Sequence, residues 1–155
     1  MKKQKKSTMK KILFSLVAIF ALLQLYRPAK NISSNISANA IQHHYSIPQE
    51  VGTMLRSSCY DCHSNNTRYP WYNNVEPVAL WLNSHIKDGK RHLNFDEFNT
   101  YPAEKKRKKL QEIAETVEKN EMPLSSYTLI HGDARLSAED KKMLIDWATA
   151  LSEAQ

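Results

Sequence analysis

Residues 59–63 read Cys-Tyr-Asp-Cys-His, and their types and spacing suit covalent chemistry on a planar cofactor. On a helical turn, positions three apart lie on one face, so the thiols of Cys59 and Cys62 can reach one edge of the same ring. The imidazole of His63 follows directly and can turn under that ring towards a central metal. Cys-x-x-Cys-His is the pattern by which c-type haem is attached, through addition of two thiols across two vinyl groups. We therefore interpret Cys59 and Cys62 as thioether anchors and His63 as the proximal iron ligand.

Closely spaced cysteines also serve other chemistries. A structural zinc site usually needs four Cys or His ligands, and this chain has only two cysteines. Zinc would need His63 and another histidine without paired spacing, drawn from His43, His44, His85, His92 and His131. A dithiol redox pair is expected beside a βαβ pattern, which the sequence lacks. An ordinary buried cysteine pair is the third alternative, and the residues around the motif favour haem over all three.

The charge of the chain is unevenly distributed. Residues 1–30 hold eight of the 22 lysines and arginines and none of the 16 acidic residues, so the remainder has a net charge of −2. The overall charge of +6 therefore comes from the leader. Because the folded part is mildly acidic, its composition gives no indication of nucleic-acid binding.

The basic leader precedes a mostly apolar run, Ile12–Tyr26. Lysines before such a run predict a cytoplasmic N-terminus. The run is short for a membrane span, which needs about 20 residues, and a cleaved signal peptide is the alternative. No small-x-small cleavage site follows it directly, and Ala38-Asn39-Ala40 lies too far along the chain. We expect residues 1–28 to form an uncleaved anchor in the inner membrane, with the domain facing the periplasm.

Beyond the leader, residues 29–44 are rich in Ser and Asn and predict a flexible tether. Residues 45–155 are expected to form the folded domain, and their apolar residues recur at helical spacing. Four helical faces are predicted: Val51, Met54, Leu55 and Ser58 after Pro48; Val78, Leu82 and Ile86 up to Asp88-Gly89; Leu110, Ile113, Ala114 and Val117 after Pro102; and Met143, Leu144, Trp147, Ala148 and Leu151 after the capping pair Ser137 and Asp140. Strand signals are weak, so the fold class is all-α, with long loops at 64–74 and 120–135.

A haem iron held by His63 has a second axial position, which Met, His or neither can fill. Among the methionines, Met54 lies too close to the motif, and Met143 belongs to an apolar helical stripe. Met122 remains, in a loop before Pro123, where the proline favours an extended backbone. We expect Met122 to be the distal ligand, with His131 and then His85 as alternatives.

The chain also resembles a known family over nearly its whole length. Its motif, Met-Pro loop and terminal aromatic helix look like a small mono-haem cytochrome c. It resembles more closely the haem-binding domain proteins common in Bacteroidetes, on residues 61–72, Leu93-Asn-Phe95, Glu121-Met-Pro123, Tyr127, His131, and Leu136-Ser137 leading to Trp147. Gln24 and Pro28 resemble residues that follow the family's N-terminal membrane segment. The resemblance implies a cytochrome c-like helical domain around one covalent haem c, preceded by a membrane segment.

Residues after the motif suggest contacts with the cofactor and with a partner. Arg68, Trp71 and Tyr72 are candidates to bind the haem propionates, since Arg pairs with carboxylates and the indole N–H donates. The alternative is a surface arginine and ordinary aromatic packing. The basic run Lys105–Lys109 is either a solvated helix face or a docking patch for an acidic redox partner.

The sequence therefore predicts a membrane-tethered periplasmic cytochrome that carries single electrons and is not an enzyme. With His63 and Met122 both bound, the iron has no vacant site for a substrate. The alternative is a haem-based sensor or a peroxidase-like protein with an open or labile sixth site. The sequence indicates neither the redox partners nor the oligomeric state.

Overall fold

A computed structural model describes residues 2–155, with side chains from Ser7 onward, and these residues form helices and loops without a strand. The all-α prediction is confirmed. The α-helices are α1 (Lys2–Leu23), α2 (Gln49–Ser58), α3 (Tyr60–His63), α4 (Val78–His92), α5 (Ala103–Glu118), α6 (Ser125–Ile130) and α7 (Ala138–Glu153). Short 3-10 turns lie at Ile41–His43, Trp71–Asn74, Phe95–Thr100 and Gly132–Ala134.

The N-terminal helix α1 does not support the expected membrane-spanning segment. No helix formed by residues 2–155 is long and apolar enough to cross a membrane. Lys10 and Lys11 lie within α1, and the apolar stretch from Ile12 to Leu23 reaches about 18 Å, against a hydrocarbon core of about 30 Å. The leader lysines Lys2, Lys3, Lys5 and Lys6 lie outside the residues whose side chains are described.

The chain divides into two compact units, and the boundary falls within α4. The first comprises Met1–Lys30 and Tyr69–His85. In this unit the side-chain amide of Gln24 pairs with the backbone of Glu76 in both directions. Its Nε2 donates to the Glu76 carbonyl over 3.1 Å, and its Oε1 accepts from the Glu76 N–H over 3.0 Å. The end of α1 is thereby bonded to the segment that precedes α4.

The second unit comprises Asn31–Arg68 and Ile86–Gln155 and contains the main hydrophobic core. Helix α5 packs along α7, and α2 contacts both α7 and α3. The predicted faces of α2, α5 and α7 supply part of this core, namely Val51, Met54, Leu55, Leu110, Ile113, Val117, Leu144 and Ala148. Its other buried members, Ile41, Leu93, Phe95 and Phe98, belong to no predicted face, and the predicted face of α4 contributes none. Met143, placed by its spacing in the stripe of α7, lies at the edge of that stripe and is 40% exposed.

The predicted cap of α7 is confirmed. The Ser137 hydroxyl accepts from the Asp140 N–H over 3.0 Å, and the Asp140 carboxylate accepts from the Ser137 N–H over 2.9 Å. Each partner satisfies a backbone donor that the first turn of a helix leaves unpaired. Short-range chemistry thus sets the start of this helix at Ala138.

Residues 31–44 differ from the flexible tether that their composition predicts. Ala40 and Ile41 are fully buried, and Ile41 belongs to the core. The Asn31 amide donates to the Ser64 carbonyl over 2.9 Å and to the Thr67 hydroxyl over 3.0 Å. Polar side chains that bind backbone groups look like linker residues in a sequence, which is why the composition misleads here.

The expected loop 120–135 is also more ordered than its composition suggests. It contains α6 and the 3-10 turn Gly132–Ala134. None of the residues of α6 is fully buried, so the segment lacks the apolar face by which sequence patterns reveal a helix.

Candidate functional site

The two cysteines and the histidine of the motif lie on a single helical turn. Cys59 separates α2 from α3, and its carbonyl accepts from the Cys62 N–H over 3.2 Å and from the His63 N–H over 3.0 Å. Both thiols are free and half-buried. The placement of the motif at the end of the preceding helix agrees with the spacing argument, and the thiols stand three positions apart, as attachment to one ring requires.

The surroundings of the thiols disfavour a dithiol redox pair. Burial, and secondarily the charge of Cys62, raises the pKa of Cys59 to about 12. Burial, and secondarily the charge of Asp61, raises the pKa of Cys62 to about 11. Redox-active cysteines need a lowered thiol pKa, because the thiolate is the reactive species.

Among the described residues, no group of three or more His, Cys, Asp and Glu side chains is arranged to hold a metal ion.

The imidazole of His63 has the arrangement expected of a metal ligand. Its Nδ1 lies 3.0 Å from the carbonyl oxygen of Leu93. Because a carbonyl only accepts, Nδ1 must carry the proton, which leaves the lone pair of Nε2 available. Burial lowers the pKa of His63 and favours the neutral ring. A neutral imidazole whose other nitrogen donates to a backbone carbonyl is the usual form of a coordinating histidine.

Gly89 brings the C-terminal half of α4 against the motif. A Cβ at this position would lie 2.6 Å from the carbonyl oxygen of Cys62 and 3.1 Å from its carbonyl carbon. Only glycine permits this approach, which also places the carbonyl of Leu93 beside His63. The sequence reading was wrong here: it ended the helix at Asp88-Gly89, whereas α4 continues to His92. A glycine inside a helix that continues on both sides is the signal that could have identified the close contact.

Polar side chains bind the loop after the motif to the loop after α4. The Asn65 N–H donates to the Asp96 carboxylate over 2.7 Å. The Asn94 amide donates to the Asn65 side chain over 2.9 Å, and its own oxygen accepts from the Asp96 N–H over 3.1 Å. Asn94 directly follows Leu93, so this cluster holds the carbonyl that orients His63.

Asp61, between the two cysteines, is a buried centre of hydrogen bonds that sequence reasoning missed. Its Oδ1 accepts from the Arg68 N–H over 3.0 Å and from Nε over 3.3 Å, and its Oδ2 accepts from the Tyr127 hydroxyl over 2.7 Å. Its backbone carbonyl accepts from the Thr67 hydroxyl over 2.6 Å. A hydrophobic pattern carries no trace of such a centre, because Asp is ordinarily a surface residue.

The structure therefore places Arg68 on the motif itself. Its guanidinium binds Asp61, donates to the Ser57 carbonyl over 3.3 Å, and remains 58% exposed on its side chain. Trp71 belongs to the other compact unit, where it begins a 3-10 turn and is 80% exposed. The roles of both residues at the haem propionates stay predictions.

Met122 is held by the end of α5. Asn120 adopts a left-handed φ of 58°, and the N–H groups of Glu121 and Met122 donate to the Thr116 carbonyl over 2.9 and 3.1 Å. Such a left-handed cap closes a helix and turns the chain sharply. The cap fixes the main chain of Met122, and its side chain is half-buried. Its role as a ligand stays a prediction.

The two histidine alternatives occupy different surroundings. His131 lies in the same unit as the motif and stacks on Tyr127, with ring centroids 4.4 Å apart. His85 lies in the other unit, on α4, where its Nδ1 contacts the Trp81 carbonyl of its own helix over 2.9 Å.

The chain matches the model of a known protein family. The family model described as "Haem-binding domain" matches residues 18–150. No curated protein and no solved structure matches the chain.

Proposed function

This chain belongs to the haem-binding domain family, and we propose that it is a c-type cytochrome which carries single electrons and is not an enzyme. The observation that carries the proposal is the hydrogen bond from His63 Nδ1 to the Leu93 carbonyl, over 3.0 Å. It prepares Nε2 as a ligand beside two thiols on the same turn. These residues fit the family's cofactor: Cys59 and Cys62 would hold haem c as thioethers, and His63 would bind its iron.

Attachment of haem to the two cysteines would consist of two addition reactions, in which every atom is accounted for. Each S–H adds across one vinyl group, so that sulfur bonds to one vinyl carbon and the hydrogen goes to the other, with no net oxidation. A bound haem would supply an iron that gains and loses one electron. The surrounding residues of the chain orient and cover the motif. The Leu93 carbonyl fixes the His63 ring, and Gly89 allows α4 to pack on Cys62.

For the second axial position we propose Met122. Its loop lies in the same unit as the motif, and its backbone is pinned to the Thr116 carbonyl. Histidine and methionine ligation together raise the reduction potential and leave no open site, which suits a carrier.

We also propose that the haem domain functions on the periplasmic side of the inner membrane, attached through α1. The lysine-rich start of the chain supports export, since positive charge is retained on the cytoplasmic side. From Met9 to Tyr26 the large apolar side chains are between 37% and 80% exposed, which provides an apolar surface for membrane attachment.

The proposed redox partner is an acidic protein, which would meet the basic run Lys105–Lys109. Within Lys105–Lys109, the ammonium of Lys105 lies 4.0 Å from the centre of the Tyr101 ring. Lys106 donates to Asn99 over 2.8 Å, and Lys109 pairs with Glu112 over 2.6 Å. Arg107 and Lys108 are both exposed, but Lys108 also lies 4.0 Å from the Glu112 carboxylate, so Arg107 is the member best placed for docking.

The test is the optical spectrum of protein matured with haem, compared among the wild type, Met122→Ala and Met143→Ala. Methionine ligation gives ferric protein a weak band near the red end of the visible spectrum. We expect Met122→Ala to remove it and to lower the potential. Met143→Ala, on the surface of α7, is the matched control and should keep both. A wild type that is high-spin or ligated by two histidines would refute the electron-carrier proposal in favour of a sensor.

A further inference from the structure

Helix α6 is fixed to the motif turn by polar bonds rather than by an apolar face. None of its six residues is fully buried, and Leu129 and Ile130 are 75% and 62% exposed. Its Tyr127 nevertheless reaches back to the motif, where the hydroxyl lies 2.7 Å from the Asp61 carboxylate and 3.3 Å from the Ser57 carbonyl.

Asp61 is built to receive that hydroxyl. Its side chain is only 9% exposed, and Arg68 binds it through Nε and Nη2, each over 3.3 Å. A buried carboxylate needs this compensation, and a hydrogen bond to an ionised acceptor is stronger than one between neutral groups. Burial, and secondarily the hydrogen bond to Asp61, raises the pKa of Tyr127, which keeps the hydroxyl protonated and able to donate.

Tyr127 lies five residues after Met122, so its bond to Asp61 also constrains the loop that contains Met122. Residues 119–124 connect α5 to α6, and Met122 lies in this connection. At one end, the cap of α5 holds Glu121 and Met122 on the Thr116 carbonyl. At the other end, α6 is bonded through Tyr127 to Asp61, one of the two residues between the cysteines.

We propose that Asp61 and Tyr127 are positioning residues that hold the Met122 loop in place as the source of the second axial ligand. Their hydrogen bond, here called the Asp61–Tyr127 bridge, joins the turn of residues 59–63 to the loop that contains Met122. It thereby sets how readily Met122 is displaced from the haem iron. The inference rests on the proposed function, because it assigns that role to Met122.

The experiment compares Tyr127→Phe with Tyr45→Phe in the full-length, haem-loaded protein. Tyr45 is the matched control, since its hydroxyl donates to Gln155 over 2.9 Å in the same unit, away from the loop. Ferric protein is titrated with imidazole, and loss of the methionine band is followed. Loss of a hydrogen bond to a charged group should raise imidazole affinity by about tenfold or more in Tyr127→Phe, with no change in Tyr45→Phe.

Hydrogen exchange provides a second readout that does not depend on the ligand. Amides of residues 122 and 124–131 should exchange about tenfold faster in Tyr127→Phe than in the wild type, with those of α7 unaffected. Unchanged imidazole affinity and exchange in Tyr127→Phe would overturn the bridge while leaving a methionine-ligated carrier intact. A wild type without the methionine band would overturn the ligand assignment and the bridge together. If Tyr127→Phe and Tyr45→Phe have equal effects, the bridge contributes only to the general stability of the domain, and the proposal is overturned.

Discussion

Replacement of Gly89 by alanine tests whether α4 packs directly on the backbone of the motif. The new Cβ would lie 2.6 Å from the carbonyl oxygen of Cys62, well inside van der Waals contact. Either α4 or the turn that carries both thiols must therefore move by several tenths of an ångström. Rigid backbone lies on both sides of this contact, so relief by a rotamer change is excluded.

Gly52 offers a matched control inside α2. A Cβ there would meet the Arg56 guanidinium at 3.4 Å and the Ile47 side chain at 3.7 Å, both ordinary contacts with movable groups. Alanine at this position should stabilise the protein by about 1 kcal/mol, the usual difference between the two residues within a helix. The same stabilisation from replacing glycine by alanine within a helix applies to Gly89→Ala.

The gain at position 89 is opposed by overpacking, which typically costs about 1–3 kcal/mol. Because the contact is with main chain, we place the cost at the upper end and expect a net loss of about 2 kcal/mol. The two variants should then differ by about 3 kcal/mol, or roughly 6–12 °C in melting temperature for a chain of this size.

Thermal unfolding of haem-loaded protein, followed by far-ultraviolet circular dichroism, measures this difference. We expect Gly52→Ala to melt above the wild type and Gly89→Ala below it. The optical spectrum of Gly89→Ala should also change, because the displaced turn carries His63. If both variants shift the melting temperature upward by similar amounts, α4 does not pack on Cys62 as described.

Further changes test the other conclusions. Cys59→Ala combined with Cys62→Ala should leave no haem bound after acid–acetone extraction, and retained covalent haem would refute the attachment site. Ile41→Ala should cost about 2–5 kcal/mol, measured by urea unfolding, because Ile41 is fully buried, whereas Ile36→Ala, 65% exposed, should have little effect. Fractionation should recover full-length protein in the membrane pellet, and native soluble protein that begins after residue 26 would show that the leader is cleaved.

Local sequence signals were sufficient for α2, α5 and α7 and for the Cys-x-x-Cys-His motif. Spacing at 3.6 residues predicted the buried faces of α2, α5 and α7, because a helix in a small domain must bury one stripe. The cap of α7 followed from Ser137 and Asp140, three residues apart. The motif is equally local, since two thiols and an imidazole on one turn need no distant residue to be recognised.

The long-range contacts around that motif were beyond the sequence. Gly89 looks like a helix stop until the backbone of Cys62 is found against it. Asp61 looks like a surface acid until Arg68 and Tyr127 are seen to bind it from 7 and 66 positions away. Asn31 and Ile41 look like parts of a linker until their partners are known.

The difference between the features that the sequence predicts and those that require the tertiary structure has a physical cause. Helix periodicity, capping and a five-residue motif depend on neighbours within about one turn, so composition and order along the chain determine them. Hydrogen bonds to buried polar groups, and the close approach of two backbones, depend on which distant segments the core brings together. The sequence by itself thus determined the all-α class and the candidate residues Cys59, Cys62 and His63, whereas tertiary structure decided what lies beside His63, what binds Asp61 and what caps α5 before Met122.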